Sequence, residues 1–137
     1  MKIKTVLWGL ATAALLVSCS GAKLSVANEQ YARGEFYDAA QTYRKVYSKT
    51  NPRKERKLRG EIAFKMAECY RRINMAPRSS AAYQNAIRYD YPDSMALFYL
   101  ARSQQYEGKY KEAIKNYQAY LETVSYTHLT LPTILLV

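Results

Sequence analysis

Apolar and small residues recur at three- and four-residue spacing from residue 22 to residue 123, interrupted by turn residues, and this pattern predicts six consecutive helices. The first, Ala22 to Arg33, puts Leu24, Ala27 and Tyr31 on one side. The second, Glu35 to Ser48, carries the stripe Phe36, Ala39, Ala40, Tyr43, Val46 and Tyr47. Asn51-Pro52 then breaks the chain, because proline cannot continue a helix interior and restricts the residue before it. Residues 53–73 form the third helix, with Ile62, Met66, Ala67 and Tyr70 on its apolar side. Ala76-Pro77 opens the fourth, proline being well accommodated in a first turn. That helix carries Ala82, Tyr83, Ala86 and Ile87 and stops at Tyr91-Pro92, the counterpart of Asn51-Pro52. Asp93 or Ser94 can cap the fifth helix, which runs to about Glu107. The sixth starts near Tyr110 and contains Ala113, Ile114, Tyr117 and Tyr120.

These helices fall into three copies of one pattern. Aligning Ala27, Ala67 and Ala101 also aligns Gly34, Asn74 and Gly108, then Phe36, Ala76 and Tyr110, then Tyr43, Tyr83 and Tyr117, at offsets of 40 and 34 residues throughout. A constant offset across several landmarks marks a repeat protein. Gly34, Asn74 and Gly108 supply a residue that enters the left-handed region at little cost, so one helix ends and the next folds back. Small residues on the facing sides (Ala27 and Ala39, Ala67 and Ser79, Ala101 and Ala113) let the two backbones approach closely, and tyrosines fill the space beyond. In spacing and residue types each copy resembles the tetratricopeptide repeat, a helix-turn-helix unit. The third copy fits best, with Leu100-Ala101, Gly108, Tyr110, Ala113 and Tyr117 in register. The second has Asn74, Ala76 and Ser79 at the landmark positions, which predicts a looser turn; the first lacks a good start to its first helix. The expected fold is all-α, an α-solenoid of three such hairpins over residues 19–123, with repeats at about 23–52, 53–92 and 93–123.

Residues 1–18 have the organisation of a cleaved signal peptide: a basic start at Lys2 and Lys4, an apolar run from Thr5 to Val17, and small residues after it. The run has 13 residues, too few for a spanning helix, which needs roughly 20. Leu16-Val17-Ser18-Cys19 resembles the bacterial lipobox, which implies cleavage before Cys19 and lipidation of that residue; the alternative is an ordinary secretory signal that happens to contain a cysteine. Ser20 follows the cysteine, and Ser20-Gly21-Ala22 carries no acidic run resembling a surface-export signal. The expected location is the periplasmic face of the outer membrane.

Composition narrows the chemistry. With 137 residues there is room for one domain, and the net charge is +10. The basic run Arg53 to Arg59 could be read as a nucleic-acid patch or as a solvated extension of the third helix; in an exported protein the second is favoured, and no nucleic-acid partner is expected. Attraction to anionic headgroups or acidic polymers is the more reasonable use of the charge. With Cys19 lipidated only Cys69 remains, so no internal disulfide forms, and Cys69, on a helix with no histidine near it, is expected to be a packed and inert thiol.

After Thr123 the character changes: residues 124–133, VSYTHLTLPT, lack charge, a helical period and the repeat landmarks. They resemble a translated sequencing adapter, since gtc tct tat aca cat ctg acg ctg ccg acg encodes this decapeptide. Residues 124–137 are therefore read as a non-native tail, the other reading being a short C-terminal strand, and the natural protein is expected to be longer. His128, the one histidine, then has no part in any mechanism. Without it no acid-base pair, metal-ligand cluster or phosphate loop is evident, so neither an enzyme nor a cofactor is expected.

What remains is an interaction module. By resemblance to tetratricopeptide repeats, the first helices line a concave groove whose facing residues are Asn28 and Tyr31, then Phe64, Glu68, Arg71 and Arg72, then Phe98, Arg102 and Gln105. Because small residues and tyrosines pair the helices, Phe64, Arg71, Phe98 and Arg102 are expected to have no necessary packing role. A lipidated module of this kind resembles the N-terminal region of Bacteroidetes OmpA-family outer-membrane proteins, some of them PorE-like components associated with type IX secretion. That resemblance implies a protein or peptide partner in the groove and membrane attachment through Cys19. The alternative is a basic module that binds polyanionic glycan or lipid headgroups.

Overall fold

The computed structural model describes residues 23–129, with side chains to Ser125; the signal segment, Cys19 and residues 130–137 lie outside the described residues. Six helices follow one another, α1 (Leu24–Ala32), α2 (Phe36–Lys49), α3 (Arg56–Arg72), α4 (Ala76–Arg88), α5 (Met95–Tyr106) and α6 (Tyr110–Leu129), and no strand occurs among the described residues. Each helix packs mainly on the one before it and the one after it. The fold is thus an all-α solenoid of three hairpins, α1/α2, α3/α4 and α5/α6, as the repeat spacing predicts.

The turns within the hairpins share one geometry. Gly34, Asn74 and Gly108 have φ of 78°, 56° and 76°. Across them the N–H groups of Glu35, Met75 and Lys109 donate to the carbonyls of Gln30, Tyr70 and Gln104, each at 2.9 Å. This bond reaches back five residues and satisfies a carbonyl that the helix end would otherwise leave open. The Asn74 turn is as tight as the two glycine turns, so the looser second turn expected from sequence is not found. A fourth such turn ends α4, where Asp90 has φ of 57° and Tyr91 N–H donates to Ala86 O at 3.1 Å. The helix is closed by Asp90 before Pro92 can act.

Close approach holds the hairpins together. Ala27, Ala39, Ala67, Ser79 and Ala101 are completely buried, as are the rings of Tyr43 and Tyr83 beside them. The Ser79 hydroxyl lies 3.0 Å from that of Ser103, which ties the second hairpin to the third. At the start of α5 it is Asp93, and not Ser94, that accepts the Met95 N–H, at 2.9 Å.

Between α2 and α3 the structure departs from the sequence reading. The helix begins at Arg56, not at residue 53. Asn51 accepts the N–H groups of Arg53 and Lys54 at 2.9 and 3.0 Å, which offers the backbone a turn in place of a helix. Nor is the basic run simply solvated. Arg59 donates to the carbonyls of Tyr47 and Thr50 at the end of α2 (2.7 and 2.6 Å), with its guanidinium 3.8 Å from the Tyr47 ring centre. Arg56 does the same for α4, donating to Arg88 O and to the Asp90 carboxylate, both at 2.6 Å. Cations at helix C-termini satisfy open carbonyls and meet the negative end of the dipole. Arg53, Lys54 and Lys57 remain exposed.

At its far end α6 runs through Leu129 instead of stopping near Thr123. Extending an existing helix adds a hydrogen bond for each residue without a new nucleus, so β-branched composition alone does not stop it. The hydroxyls of Thr123 and Ser125 turn back to the carbonyls of Ala119 and Leu121 at 2.8 and 2.7 Å.

Gly60, a residue without a landmark role in the repeat, sets the contact between α3 and the end of α4. A Cβ there would lie 2.8 Å from the carbonyl oxygen of Tyr89, which is backbone and cannot step aside. Helix propensity alone would make Gly60→Ala stabilising by about 0.8–1 kcal/mol. We expect the opposite sign, a loss of about 1–3 kcal/mol from overpacking, measured as a lower urea midpoint.

Candidate partner-binding face

The first helices α1, α3 and α5 are joined along one face by cation and ring contacts. Lys65 and Arg72 of α3 lie 5.4 and 5.2 Å from the Tyr31 ring of α1, and Arg71 of α3 lies 4.4 Å from the Tyr99 ring of α5. Arg72 also covers Phe36 at 4.9 Å. Contacts of this type, partly shielded from water, contribute on the order of 0.5–2 kcal/mol each.

Several residues assigned to the groove turn out to anchor the landmark tyrosines, of which Tyr43 and Tyr83 are buried and Tyr117 is half-buried. A phenol hydroxyl removed from water needs a partner. Tyr43 donates to Asn28 Oδ1 at 2.7 Å, Tyr83 donates to Glu68 Oε1, and Tyr117 donates to Gln105 Oε1 at 3.1 Å. Asn28, Glu68 and Arg102 share one repeat position, and Tyr31, Arg71 and Gln105 another. Arginine cannot accept a hydrogen bond. In the third copy the acceptor therefore moves to Gln105, three residues on.

Glu68 is the centre of the second copy. Its carboxylate takes two hydrogen bonds from Arg71, at 3.0 and 2.7 Å, and has Arg72 at 3.9 Å. Burial alone would push this carboxyl up, but the bonds from Arg71 and Tyr83 and the two arginine charges outweigh it, so it lies below the ordinary range. Burial and the Glu68 carboxylate push the Tyr83 phenol in the other direction, upward. Arg71 is held charged by the same partner. Cys69, next along α3, is buried, and burial raises its thiol to about 12, so it is a packed thiol.

The aromatic residues of the list are packed too. Phe64 stacks on Tyr91 with centroids 4.2 Å apart and meets Tyr83 edge-on at 5.7 Å. Phe98 contacts Tyr99, Tyr117 and Tyr120 at 5.5–5.6 Å. The expectation that Phe64, Arg71 and Phe98 have no packing role is therefore wrong: the repeat register indicates the face a residue occupies but not which neighbour fills the space beside it. Arg102 alone of the four projects freely, and it donates to the hydroxyl of Tyr106 at 3.2 Å. Tyr106 is 70% exposed.

Two clefts open on this surface. One of about 370 Å³ is lined by Tyr31, Glu61, Phe64, Lys65, Glu68, Tyr91 and Pro92, and one of about 240 Å³ by Arg71, Asn74, Ala76, Ser79, Ser103 and Tyr106. The second runs from the second hairpin to the third. Glu61, Lys65, Tyr91 and Tyr106 are absent from the groove residues that the repeat register suggests. Tyr106 lies four residues after Arg102, a spacing that could have flagged it, whereas Tyr91 reads only as part of a helix stop.

The Glu68 cluster predicts an acid-sensitive core. A carboxyl with a depressed folded pKa contributes stability that is present above its unfolded value, about 4.3, and lost as pH falls through the folded value. Glu68→Gln should therefore destabilise the protein at pH 7 by about 1–3 kcal/mol, below the roughly 3–5 kcal/mol of a fully buried pair because water still reaches Arg71. It should also flatten the fall in thermal midpoint below pH 4.3, a comparison made by melting both proteins from pH 3 to 7.

No curated protein matches this sequence. Residues 95–124 match the family model described as tetratricopeptide repeat. The match covers α5 and the greater part of α6, the copy in which all landmarks are in register. The chain thus contains a tetratricopeptide repeat, and two further hairpins of the same geometry precede it.

Proposed function

We propose that this chain is a periplasmic scaffold, anchored to the outer membrane through lipidated Cys19, that holds a protein partner against the face made by α1, α3 and α5. Tetratricopeptide repeats commonly bind protein partners. The observation that carries the reading is the contrast on that face: clefts and an exposed Arg102–Tyr106 pair stand above side chains locked by stacking and hydrogen bonds. Such a surface loses little conformational freedom on binding, and Tyr and Arg are prominent among binding hot spots. In this reading the protein is not an enzyme and takes no cofactor. It forms the N-terminal part of a longer envelope protein, similar to the Bacteroidetes OmpA-family proteins described above. The polyanion alternative has less to draw on, since Arg56 and Arg59 are committed to helix ends.

Two experiments test this. Cys19→Ser should release the protein from the outer-membrane fraction and abolish fatty-acid labelling, because buried acyl chains contribute about 0.8 kcal/mol per methylene; continued labelling and membrane fractionation would refute the anchor. Arg102→Ala combined with Tyr106→Ala should weaken capture of a cross-linked envelope partner about tenfold, close to 1.4 kcal/mol, with far-UV circular dichroism unchanged. Charge reversal at Arg44 or Lys115 should do far less. Binding that instead collapses with added salt and depends on Arg53, Lys54 and Lys57 would favour the polyanion reading.

A further inference from the structure

The outer face of α6 is apolar and is not covered by another helix among the described residues. Tyr110, Ile114 and Leu121 are 64%, 57% and 58% exposed, and with Tyr117 they form one stripe at helical spacing. The equivalent positions of the earlier copies are Phe36, Ala40, Tyr43 and Tyr47 on α2, and Ala76, Ser80, Tyr83 and Ile87 on α4. There the residues are buried or half-buried, because α3 packs on α2 and α5 packs on α4. In both cases the covering helix is the next segment of the same polypeptide, reached through a short connection.

The covering helices share a chemistry. Met66-Ala67 on α3 and Leu100-Ala101 on α5 place a long apolar residue before a small one, and Ile62 and Ala96 precede them by one turn. All six are buried. The opposite end of the solenoid is built differently. At the positions of Ala63, Cys69, Tyr70 and Ile73, α1 and its flanking residues have Lys23, Glu29, Gln30 and Arg33, so charged and polar groups surround the exposed Val26 there. A second copy docking head to tail would bury these charged groups against the apolar stripe, which is unfavourable.

We infer that the stripe Tyr110, Ile114, Tyr117 and Leu121 is the seat for a further helix of the α3/α5 kind, the first helix of a fourth hairpin in the same polypeptide. The occupant packs on α6 as α3 packs on α2. Its small residue and preceding apolar residue follow Leu100-Ala101 at an offset like the 40 and 34 residues that separate the earlier copies. This rests on the proposal that the natural protein is longer.

The test is to read the uninterrupted gene past Thr123, express that protein and this 137-residue chain, and compare hydroxyl-radical footprints. The expected result is labelling of Tyr110, Ile114 and Leu121 reduced about tenfold in the longer protein, with Tyr37 on α2 labelled equally in both. Ile114→Lys should lower the thermal midpoint of the longer protein and leave that of the shorter one unchanged. A longer protein in which the three residues label as strongly as in the short chain overturns the inference while leaving the longer-protein reading intact. A natural gene that stops close to Thr123 overturns both. Protection in the short chain that grows with its concentration assigns the stripe to a second copy and overturns the inference as well.

Discussion

The hydroxyl of a buried tyrosine has to be given a partner, and much of this molecule follows from meeting that need twice, at Tyr43 and Tyr83, and from repeating the same tie at half-buried Tyr117. Tyr43 and Tyr83 supply the bulk that small residues leave room for between paired helices, and Tyr117, half-buried, holds the same position in the third copy. The rings of Tyr43 and Tyr83 carry a polar atom into a place with little water. The partners are Asn28, Glu68 and Gln105, all on the first helix of the hairpin. The first helix is therefore tied to the second at a fixed rotation, and the side chains beside the tie are brought onto one face with it. Packing thereby decides what that face can show.

The choice of acceptor sets the electrostatics of each copy. Asn28 brings no charge. Glu68 brings a buried carboxylate, which would be costly unpaired, and Arg71 and Arg72 follow within a helical turn to compensate it. The two arginines then have guanidinium surface left over for the neighbouring rings, Tyr99 on one side and Tyr31 and Phe36 on the other. One buried charge in the middle copy thus produces the contacts that join it to both neighbours. The third copy, with Arg102 at the acceptor position, has no such sink for its positive charge, and that guanidinium is left beside exposed Tyr106.

How much of this the sequence discloses depends on whether a feature is local. Landmarks such as Ala27, Ala67 and Ala101, or Gly34, Asn74 and Gly108, repeat at fixed spacing, and their role depends on helix periodicity and φ preference, so they could be assigned without coordinates. Gly60 has no repeat counterpart and owes its identity to the Tyr89 carbonyl, 29 positions away in the chain, as the contact shows. Arg56 and Arg59 look like solvated charge because nothing in their neighbourhood reveals the helix ends they close. The expectation that Phe64 and Phe98 lack a packing role failed in the same way. Register places them on the face with α1, α3 and α5, while Tyr91 and Tyr120, which cover them, come from a connection and from another helix.

A face whose aromatic residues are already engaged works differently from one with free hot spots. A partner cannot use Phe64 or Phe98 as mobile anchors without breaking the Phe64–Tyr91 stack or the Phe98 cluster. It can use their edges as a rigid, preformed surface, which reduces the ordering cost of association. In the proposed binding role, specificity would then come from the groups that remain adjustable, among them Lys65, Arg102 and Tyr106, all of them exposed. Lys65 lines the cleft between α1 and α3, and Tyr106 lines the cleft between the α3/α4 hairpin and α5. In the proposed scaffold, selection by this face would therefore be spread over two junctions between hairpins, and a partner would have to span at least two repeats to be recognised fully.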